Sequence, residues 1–160
     1  MPISVTLLAQ CQTMTRRFDP SDAKAHNDRG FAYASQGDFD VAIRDYGQAI
    51  QLDPRYANAF YNRGSAYAEQ HQFERAVLDY DQAIRLAPDF AQAHVNRGFV
   101  YATTGNYDRA IADFNRAITL VPDSANALLN RRIAKLRKGD YLGGRADIAQ
   151  SKLMRPGIYH

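Results

Sequence analysis

The stretch FYNRGSAYAEQ, residues 60–70, has one counterpart earlier in the chain and two later ones. The earlier counterpart, at residues 26–36, is HNDRGFAYASQ, and the next, at residues 94–104, is HVNRGFVYATT. A more divergent copy, LLNRRIAKLRK, occupies residues 128–138, so the four copies are evenly spaced along the chain. Self-similarity at a fixed period of about 20–50 residues is the signature of a repeat architecture, so this period decides the fold.

Further columns of residues recur with the same period. They are Gly30, Gly64 and Gly98; Tyr33, Tyr67 and Tyr101; Ala42, Ala76 and Ala110; Tyr46, Tyr80 and Phe114; and Pro20, Pro54, Pro88, Pro122 and Pro156. Each period contains two runs whose apolar residues fall on one face of a helix, so each period predicts a pair of helices. Gly37, His71, Gly105 and Gly139 stand at the turn inside each pair, where glycine favours a positive φ.

The predicted helices alternate with short turns along the chain. The small Gly and Ala positions allow two helices to approach closely, and the aromatic residues fill the remaining space. The pattern predicts helices at about 22–36, 39–52, 56–70, 73–86, 90–104, 107–120, 124–138 and 141–153, with an uncertainty of about two residues at each end.

This pattern of a small residue, a tyrosine three residues later, then alanine, an aromatic residue, alanine and proline resembles the tetratricopeptide repeat (TPR) family, here with an Asn-Arg-Gly triplet. The resemblance implies an all-α fold, a right-handed superhelical array of four TPR helix-turn-helix hairpins, or α-solenoid. In the degenerate fourth repeat, Arg132 replaces the glycine, Lys135 the tyrosine and Gly144 the alanine. The expected domains are an N-terminal extension at 1–19 and a TPR domain at 20–158, with repeats at about 23–56, 57–90, 91–124 and 125–158.

The N-terminal extension has a periodic apolar stripe. Ile3, Leu7, Cys11, Met14 and Phe18 would share one face of a helix. Repeat arrays need a cap over their first unit, and we favour that interpretation. The alternative is an apolar arm that docks on another copy of the chain.

The composition excludes several classes of protein. The single cysteine, Cys11, excludes an internal disulfide and fits a reducing compartment. No apolar run approaches the roughly 20 residues of a membrane span, and no secretory signal precedes the array, so we expect a cytoplasmic location. A net charge of +3 from 20 basic and 17 acidic residues does not argue for a nucleic-acid partner.

An arginine column and an aspartate column recur at a constant separation, with one residue of each in every period. The structural interpretation is a set of ion pairs between the two helices of a hairpin, or between neighbouring hairpins. The alternative is a row of arginines that binds anions, which we disfavour because an anion site would not need a matched acid. The pairs are Arg29 and Asp45, Arg63 and Asp79, Arg97 and Asp113, and Arg131 and Asp147.

An asparagine column, Asn62, Asn96 and Asn130, precedes the arginines by one residue, and no partner column accompanies it. These asparagines resemble the asparagine ladder in the TPR region of O-linked N-acetylglucosamine transferases, whose side-chain amides bind the backbone of an extended peptide. An amide offers one acceptor and two donors, which matches a peptide unit. The alternative is that these side chains only hydrogen-bond to the neighbouring hairpin.

The TPR resemblance implies that the first helices of the hairpins line a concave groove, and helical spacing then selects further groove residues. Amides and apolar side chains dominate this set, which suits an uncharged, extended or helical peptide segment. The other predicted groove residues are Asn27, Phe31, Asn58, Tyr61, Ser65, Gln92, Val95, Phe99, Asn126, Leu129 and Ile133.

TPR domains that bind chaperone tails use a two-carboxylate clamp of lysines, asparagines and an arginine. In this chain Asn62 is the one counterpart, and the other clamp positions are occupied by Asn27, Phe31, Gln92 and Asn96. The sequence therefore argues against an acidic chaperone tail as the ligand.

No residue pattern in the chain predicts catalysis. No metal-spaced cluster, Gly-rich phosphate loop or activated nucleophile is present, so no cofactor and no enzymatic activity are expected. The predicted function is a non-catalytic scaffold that binds a protein or peptide in its groove.

Two alternatives to groove binding stay open at this point. A self-association module would pair copies through Leu142, Ile148, Leu153 and Met154, or through the N-terminal stripe. A binder of acidic partners would use the fourth repeat, where residues 122–160 hold eight basic and three acidic residues, a formal charge of +5. Sparse aromatic residues there argue against nucleic acid, and a membrane partner is not expected.

Overall fold

The structure, a computed structural model, describes residues 21–144, and all regular structure in this range is helical. The observed helix bounds lie within one residue of the predicted ones. The helices are α1 (Ala23–Ser35), α2 (Phe39–Leu52), α3 (Ala57–Glu69), α4 (Phe73–Leu86), α5 (Ala91–Thr103), α6 (Tyr107–Leu120) and α7 (Ala125–Lys138), and residues 141–144 are again helical.

Consecutive helices form antiparallel hairpins, α1 with α2, α3 with α4 and α5 with α6, and α7 packs on α6. Close packing inside a hairpin depends on the glycine column. A Cβ added to Gly64 would lie 3.1 Å from the Tyr80 ring and 3.2 Å from the Ala76 carbonyl oxygen, so the aromatic ring occupies the space that a side chain would need.

Within residues 21–144 the core is built in three similar clusters, and each joins two hairpins. In the second cluster, Ala76 and Tyr80 of α4 pack with Val100 of α5, and all three are buried. Ala66 of α3 completes the first cluster in the same way, and Ala134 of α7 completes the third. Because every cluster needs a residue from the next hairpin, the hairpins stack into one continuous right-handed superhelical array.

The turns inside the hairpins adopt the left-handed conformation expected for the glycines. Gly37, Gly105 and Gly139 have φ values of 86°, 80° and 93°, and His71 at the equivalent place has φ 58°. The His71 ring lies edge-on to Phe73, with 5.7 Å between the ring centroids. The left-handed region is unfavourable for a residue with a side chain, so His71 holds local strain.

Replacing His71 with glycine is expected to raise the free energy of unfolding by about 1 kcal/mol, because glycine relieves the left-handed strain. Urea unfolding followed by circular dichroism measures the change. The matched control is Gly105→Ala, where an added Cβ meets no described atom within 4 Å, so its loss reports the backbone term alone. A lower unfolding free energy for His71→Gly would mean that the contact with Phe73 outweighs the strain.

The degenerate fourth unit keeps a small residue at its helix contact, but on the opposite helix. Arg132 stands where the other first helices have glycine, and Gly144 stands where the other second helices have alanine. A Cβ added to Gly144 would lie 2.9 Å from Leu136 Cδ2. The close approach is thus made possible by Gly144.

Several predictions concern residues outside the described range. These are the N-terminal extension with its apolar stripe, the remainder of the last predicted helix, Asp147, and the residues Ile148, Leu153 and Met154.

Candidate functional site

The first helices α1, α3, α5 and α7 contact one another in order and together form the wall that carries the predicted groove residues. Three cavities open along this wall, one at each junction of two neighbouring first helices. The first cavity, about 390 Å³, is lined by Asn27, Asp28, Phe31, Asn58, Tyr61, Asn62 and Phe90. The middle cavity, also about 390 Å³, is lined by Ser65, Ala68, Glu69, His71, Phe73, Tyr80, Asn96, Phe99, Val100 and Thr103. The third cavity, about 320 Å³, is lined by Phe99, Ala102, Thr103, Tyr107, Phe114, Asn130, Ile133, Ala134 and Arg137.

The first cavity combines an amide pair with aromatic rings. Asn62 Nδ2 donates to Asn27 Oδ1 at 2.8 Å, and Asn27 is buried. The Tyr61 ring packs on Phe90 with 4.8 Å between the centroids, and Phe31 leaves 64% of its surface exposed. An apolar ligand group could therefore contact aromatic surface beside the amides.

The middle cavity contains a connected polar network. Asn96 Nδ2 donates to the Tyr61 hydroxyl at 3.1 Å and to Ser65 Oγ at 3.4 Å. The Tyr80 hydroxyl donates to Ser65 Oγ at 3.2 Å, and Ser65 Oγ donates to the Tyr61 carbonyl oxygen at 3.0 Å. Burial raises the pKa of Tyr80 to about 12, so this hydroxyl keeps its proton at neutral pH.

The third cavity presents exposed apolar side chains beside an asparagine. Phe99 and Ile133 expose 55% and 44% of their surfaces, and Tyr107 and Phe114 lie behind them. Asn130 is half-buried and makes no side-chain hydrogen bond to any residue in the range 21–144. A ligand in this cavity would meet an amide whose donors and acceptor no described residue uses.

The asparagine column therefore does not behave as one set. The alternative in which these side chains hydrogen-bond to the neighbouring hairpin describes Asn62 and Asn96, whose Nδ2 groups donate to the preceding hairpin. Both residues keep a side-chain oxygen that accepts no hydrogen bond from the described part of the chain. Asn130 differs because Val95 stands at the position that Asn27 and Tyr61 occupy in the earlier hairpins.

The other predicted groove residues fall in different environments. Asn58 and Phe31 are exposed in the first cavity, and Ser65 is half-buried in the middle one. Gln92, Asn126 and Leu129 are exposed and line none of the three cavities, and Val95 packs against the third core cluster. The remaining predicted groove residues line the three cavities, whose walls extend beyond the predicted set to Phe90, Phe73, Tyr80 and Tyr107.

Few charges lie along the cavities. Lys24 Nζ is 2.5 Å from Asp28 Oδ2, which places a cation beside the only carboxylate among the residues that line the first cavity. Glu69 lines the middle cavity and Arg137 the third, and neither has an ion pair with another residue of the range 21–144. The groove as a whole thus carries little net charge.

The arginine column makes two-bond contacts with the aspartate column inside each of the first three hairpins. Arg29 Nε lies 2.6 Å from Asp45 Oδ2, and Arg63 Nε lies 2.7 Å from Asp79 Oδ2. The second guanidinium nitrogen, Nη2, bonds the other carboxylate oxygen in each case. These bonds join the two helices of a hairpin.

The third pair, Arg97 with Asp113, is the most enclosed. Arg97 Nε and Nη2 donate to Asp113 at 2.9 and 2.6 Å, and His94 Nδ1 lies 3.2 Å from Asp113 Oδ1. Burial alone would raise the pKa of Asp113, but the hydrogen bonds and charges of Arg97 and His94 bring it below the usual value. The carboxylate therefore stays ionised inside the array.

A second acceptor column, which the sequence analysis missed, meets the arginines from the preceding hairpin. Arg97 Nη1 donates to Asp81 Oδ1 at 2.5 Å, and Arg131 Nη1 donates to Asn115 Oδ1 at 2.9 Å. Gly47 stands at the equivalent place before Arg63. The constant separation between these positions and the arginines is visible in the sequence, but the residue type changes in every copy, so no column stands out.

Some basic residues of the fourth unit make contacts with other residues of the array. Besides Arg131, Lys138 pairs with Asp108 of α6, and Lys135 Nζ reaches the Gly143 carbonyl oxygen at 3.5 Å. This reduces the number of cations that the described part of the fourth unit offers to an acidic partner.

Comparison with protein families identifies the class of protein. The family model described as "TPR repeat" matches residues 32–71, and the one described as "Tetratricopeptide repeat" matches residues 61–125. The chain belongs to the tetratricopeptide repeat family, and its fold is that of a protein-interaction scaffold. No curated protein sequence matches it significantly.

Solved structures share the architecture. A crystal structure of the MamA protein is 25% identical with a TM-score of 0.81, and the match covers 86% of this chain and 75% of that one. A second MamA crystal structure, 20% identical with a TM-score of 0.82, covers 98% and 97% and shows the shared fold. The first TPR of Spaghetti (RPAP3), bound to the HSP90 peptide SRMEEVD, is 26% identical with a TM-score of 0.73, covering 78% and 98%.

No helix among residues 21–144 is long and apolar enough to cross a membrane. Within the same range, no group of three or more His, Cys, Asp or Glu side chains is placed to hold a metal ion.

Proposed function

We propose that this protein is a non-catalytic scaffold that binds an extended peptide segment of a partner protein along the three cavities. The observation that supports this most strongly is the row of cavities itself. Each lies at a junction of first helices, and each places one asparagine of the column beside apolar side chains. A peptide needs this combination, because its backbone needs hydrogen bonds and its side chains need apolar surface.

The asparagines would recognise the peptide backbone in two ways. Asn62 and Asn96 offer mainly their side-chain oxygens, because the preceding hairpin already uses one amide hydrogen of Asn62 and both of Asn96. These oxygens would accept hydrogen bonds from peptide N–H groups. Asn130 offers both ends of its amide and could bond an N–H and a C=O of the same peptide.

The low charge of the groove favours a largely uncharged ligand. The similar TPR of Spaghetti (RPAP3) is bound to an acidic peptide, SRMEEVD. In this chain, aromatic and amide side chains occupy the positions where the resemblance to chaperone-binding domains would require lysines, asparagine or arginine, at Phe31, Gln92 and Asn96. We therefore infer a different peptide chemistry in a groove of similar shape.

The test begins with selection of groove-binding peptides from a displayed random library, using the whole chain as bait. Asn130→Ala is expected to weaken the best synthetic peptide several-fold, because one lost hydrogen bond is worth about 1 kcal/mol. Fluorescence anisotropy titration measures the affinity. Asn130 is preferred to Asn62 and Asn96 because it makes no side-chain hydrogen bond to residues 21–144, so its loss should not disturb the array.

The matched control is Gln48→Ala, which removes an exposed amide from α2, a second helix, and should leave the affinity unchanged. Affinity should also change little between low and moderate salt, because few charges line the cavities. An unchanged affinity in folded Asn130→Ala would contradict binding of the peptide backbone by this amide. A steep salt dependence, abolished by changing Arg132, Lys135 and Lys138, would instead place the site on the fourth unit.

A further inference from the structure

The middle cavity differs chemically from the two beside it. Its wall carries the Ser65 hydroxyl, whereas Phe31 and Phe99 stand at the equivalent places in the flanking hairpins. The Tyr80 hydroxyl also faces this cavity, and Phe114 stands at the equivalent place in the third. Of the three cavities, the middle one therefore contains the Ser65 and Tyr80 hydroxyl groups together.

The hydrogen bonds of the middle cavity use its donors and leave an acceptor unused. The donors of Tyr80 and Ser65 are used inside the network, on Ser65 Oγ and the Tyr61 carbonyl oxygen. Both amide hydrogens of Asn96 are used as well, on the Tyr61 hydroxyl and Ser65 Oγ. The Asn96 side-chain oxygen remains able to accept a hydrogen bond from a ligand.

A carboxylate adds negative charge to this acceptor. Glu69 lines the cavity near its mouth, is exposed, and has no hydrogen bond or ion pair with any residue in the range 21–144. Burial raises the pKa of Tyr80, and the negative charge of Glu69 raises it slightly further. The two groups therefore lie within electrostatic reach of each other. No lysine or arginine is among the described residues that line this cavity.

We propose that the middle cavity binds a lysine or arginine side chain of the peptide, an inference that rests on the proposed function of the groove. The cationic head would donate hydrogen bonds to Glu69 and to the Asn96 side-chain oxygen. The methylene stem would lie against Phe73, Phe99 and Val100, since long basic side chains cover apolar surface with their stems. The positive charge of the head matches the carboxylate of Glu69, and its N–H donors match the side-chain oxygen of Asn96.

The spacing of the cavities extends the inference to a sequence pattern. Neighbouring packed helices lie about 8–10 Å apart, and an extended peptide advances about 3.3 Å per residue. The middle and third cavities share Phe99 and Thr103 and lie at the same level of the first helices, so residues about three positions apart would reach them. The first cavity lies nearer the N-terminal end of α3, at Asn58 and Tyr61, so its spacing from the middle cavity is longer. The preferred ligand has a basic residue with an apolar residue on each side, one of them about three positions away.

The test uses the same displayed random-peptide library, followed by titration of labelled synthetic peptides against the full chain. Enriched peptides should share the apolar–basic–apolar pattern. Replacing the basic residue with glutamine should weaken binding about two- to fivefold, the range for an exposed ion pair. Glu69→Gln should produce the same loss with the basic peptide and no loss with the glutamine peptide.

Charge reversal gives the sharpest readout. Glu69→Lys should prefer a peptide with glutamate at the central position over the one with lysine, which inverts the order for the native chain. The matched control is Glu74→Gln, which removes another exposed carboxylate, on α4 and outside the three cavities, and should leave both affinities unchanged.

The possible outcomes separate the two proposals. Peptides that lose affinity in Asn130→Ala but lack a central basic residue would overturn the inference and leave the proposed function standing. If Glu69→Lys still prefers the peptide with central lysine over the one with glutamate, the inference is likewise overturned and the proposed function stands. If no selected peptide is weakened by Asn130→Ala or by Glu69→Gln, both proposals are overturned.

Discussion

Replacing Arg97 with leucine is expected to lower the free energy of unfolding by about 3 kcal/mol, the scale for removing one partner of a buried ion pair. Asp113 is only 5% exposed and accepts two hydrogen bonds from Arg97. The variant leaves this carboxylate buried with His94 as its remaining neighbour, and it also removes the contact with Asp81. Urea unfolding followed by circular dichroism measures the loss.

The three hairpins provide a matched series for this prediction. The exposed fraction of the arginine side chain falls from 41% at Arg29 to 23% at Arg63 and 19% at Arg97. The loss on changing arginine to leucine should increase in the same order, because solvent screens the first pair most. The double variant Arg97→Leu with Asp113→Ala should recover part of the loss, and a double loss equal to the sum of the single losses would exclude direct coupling.

The pH dependence of the Arg97→Leu loss follows from the lowered pKa of Asp113. A carboxyl with a lowered folded-state pKa stabilises the native chain above its unfolded value, about 3.9, and this contribution disappears as pH falls through the folded value. Arg97 is the first of the two residues that lower this pKa against the effect of burial, so its loss moves the folded-state pKa of Asp113 upward. The difference in stability between native chain and variant should therefore be largest near neutral pH and shrink on acidification. A difference that grows in acid would contradict this account.

Gly98→Ala and Gly47→Ala are expected to change stability in opposite directions, although both glycines lie inside helices. A Cβ on Gly98 would lie 2.8 Å from Phe114 Cε1 and 3.1 Å from Asp113 Cβ, so α5 or these side chains of α6 must move. Overpacking of this kind costs about 1–3 kcal/mol, which exceeds the gain in helix propensity of about 1 kcal/mol. Gly98→Ala should therefore lose up to about 2 kcal/mol.

Gly47→Ala is the matched control because the only described atom within 4 Å of an added Cβ is the Arg63 Nη1, at 3.9 Å. It should raise the free energy of unfolding by about 0.5–1 kcal/mol through helix propensity. Thermal unfolding of the two variants beside the native chain shows whether each change raises or lowers stability. Stabilisation by Gly98→Ala would show that α5 can move away from α6 without loss of packing.

Interactions inside one hairpin could be predicted from the sequence because they recur in every period. The helix bounds, the positive φ at Gly37 and Gly105, and the pairing of Arg63 with Asp79 each have equivalents one period away. A weak local preference becomes a clear pattern when several copies agree, and each contact depends on residues at a fixed separation. The same reasoning placed the asparagines on the wall formed by the first helices.

The sequence by itself determined the repeat, the hairpins and their internal ion pairs, and the tertiary structure decided how one hairpin meets the next. The bonds of Asn62 to Asn27 and of Asn96 to Tyr61 and Ser65 depend on the distance and angle between stacked hairpins. The acceptors of these bonds differ in residue type from copy to copy, so no periodic pattern in the sequence predicts the bonds. For the same physical reason, only the folded array shows that Asn130 keeps its whole amide available to a ligand, as far as residues 21–144 are concerned. It also shows that no described residue uses the Asn96 side-chain oxygen of the middle cavity.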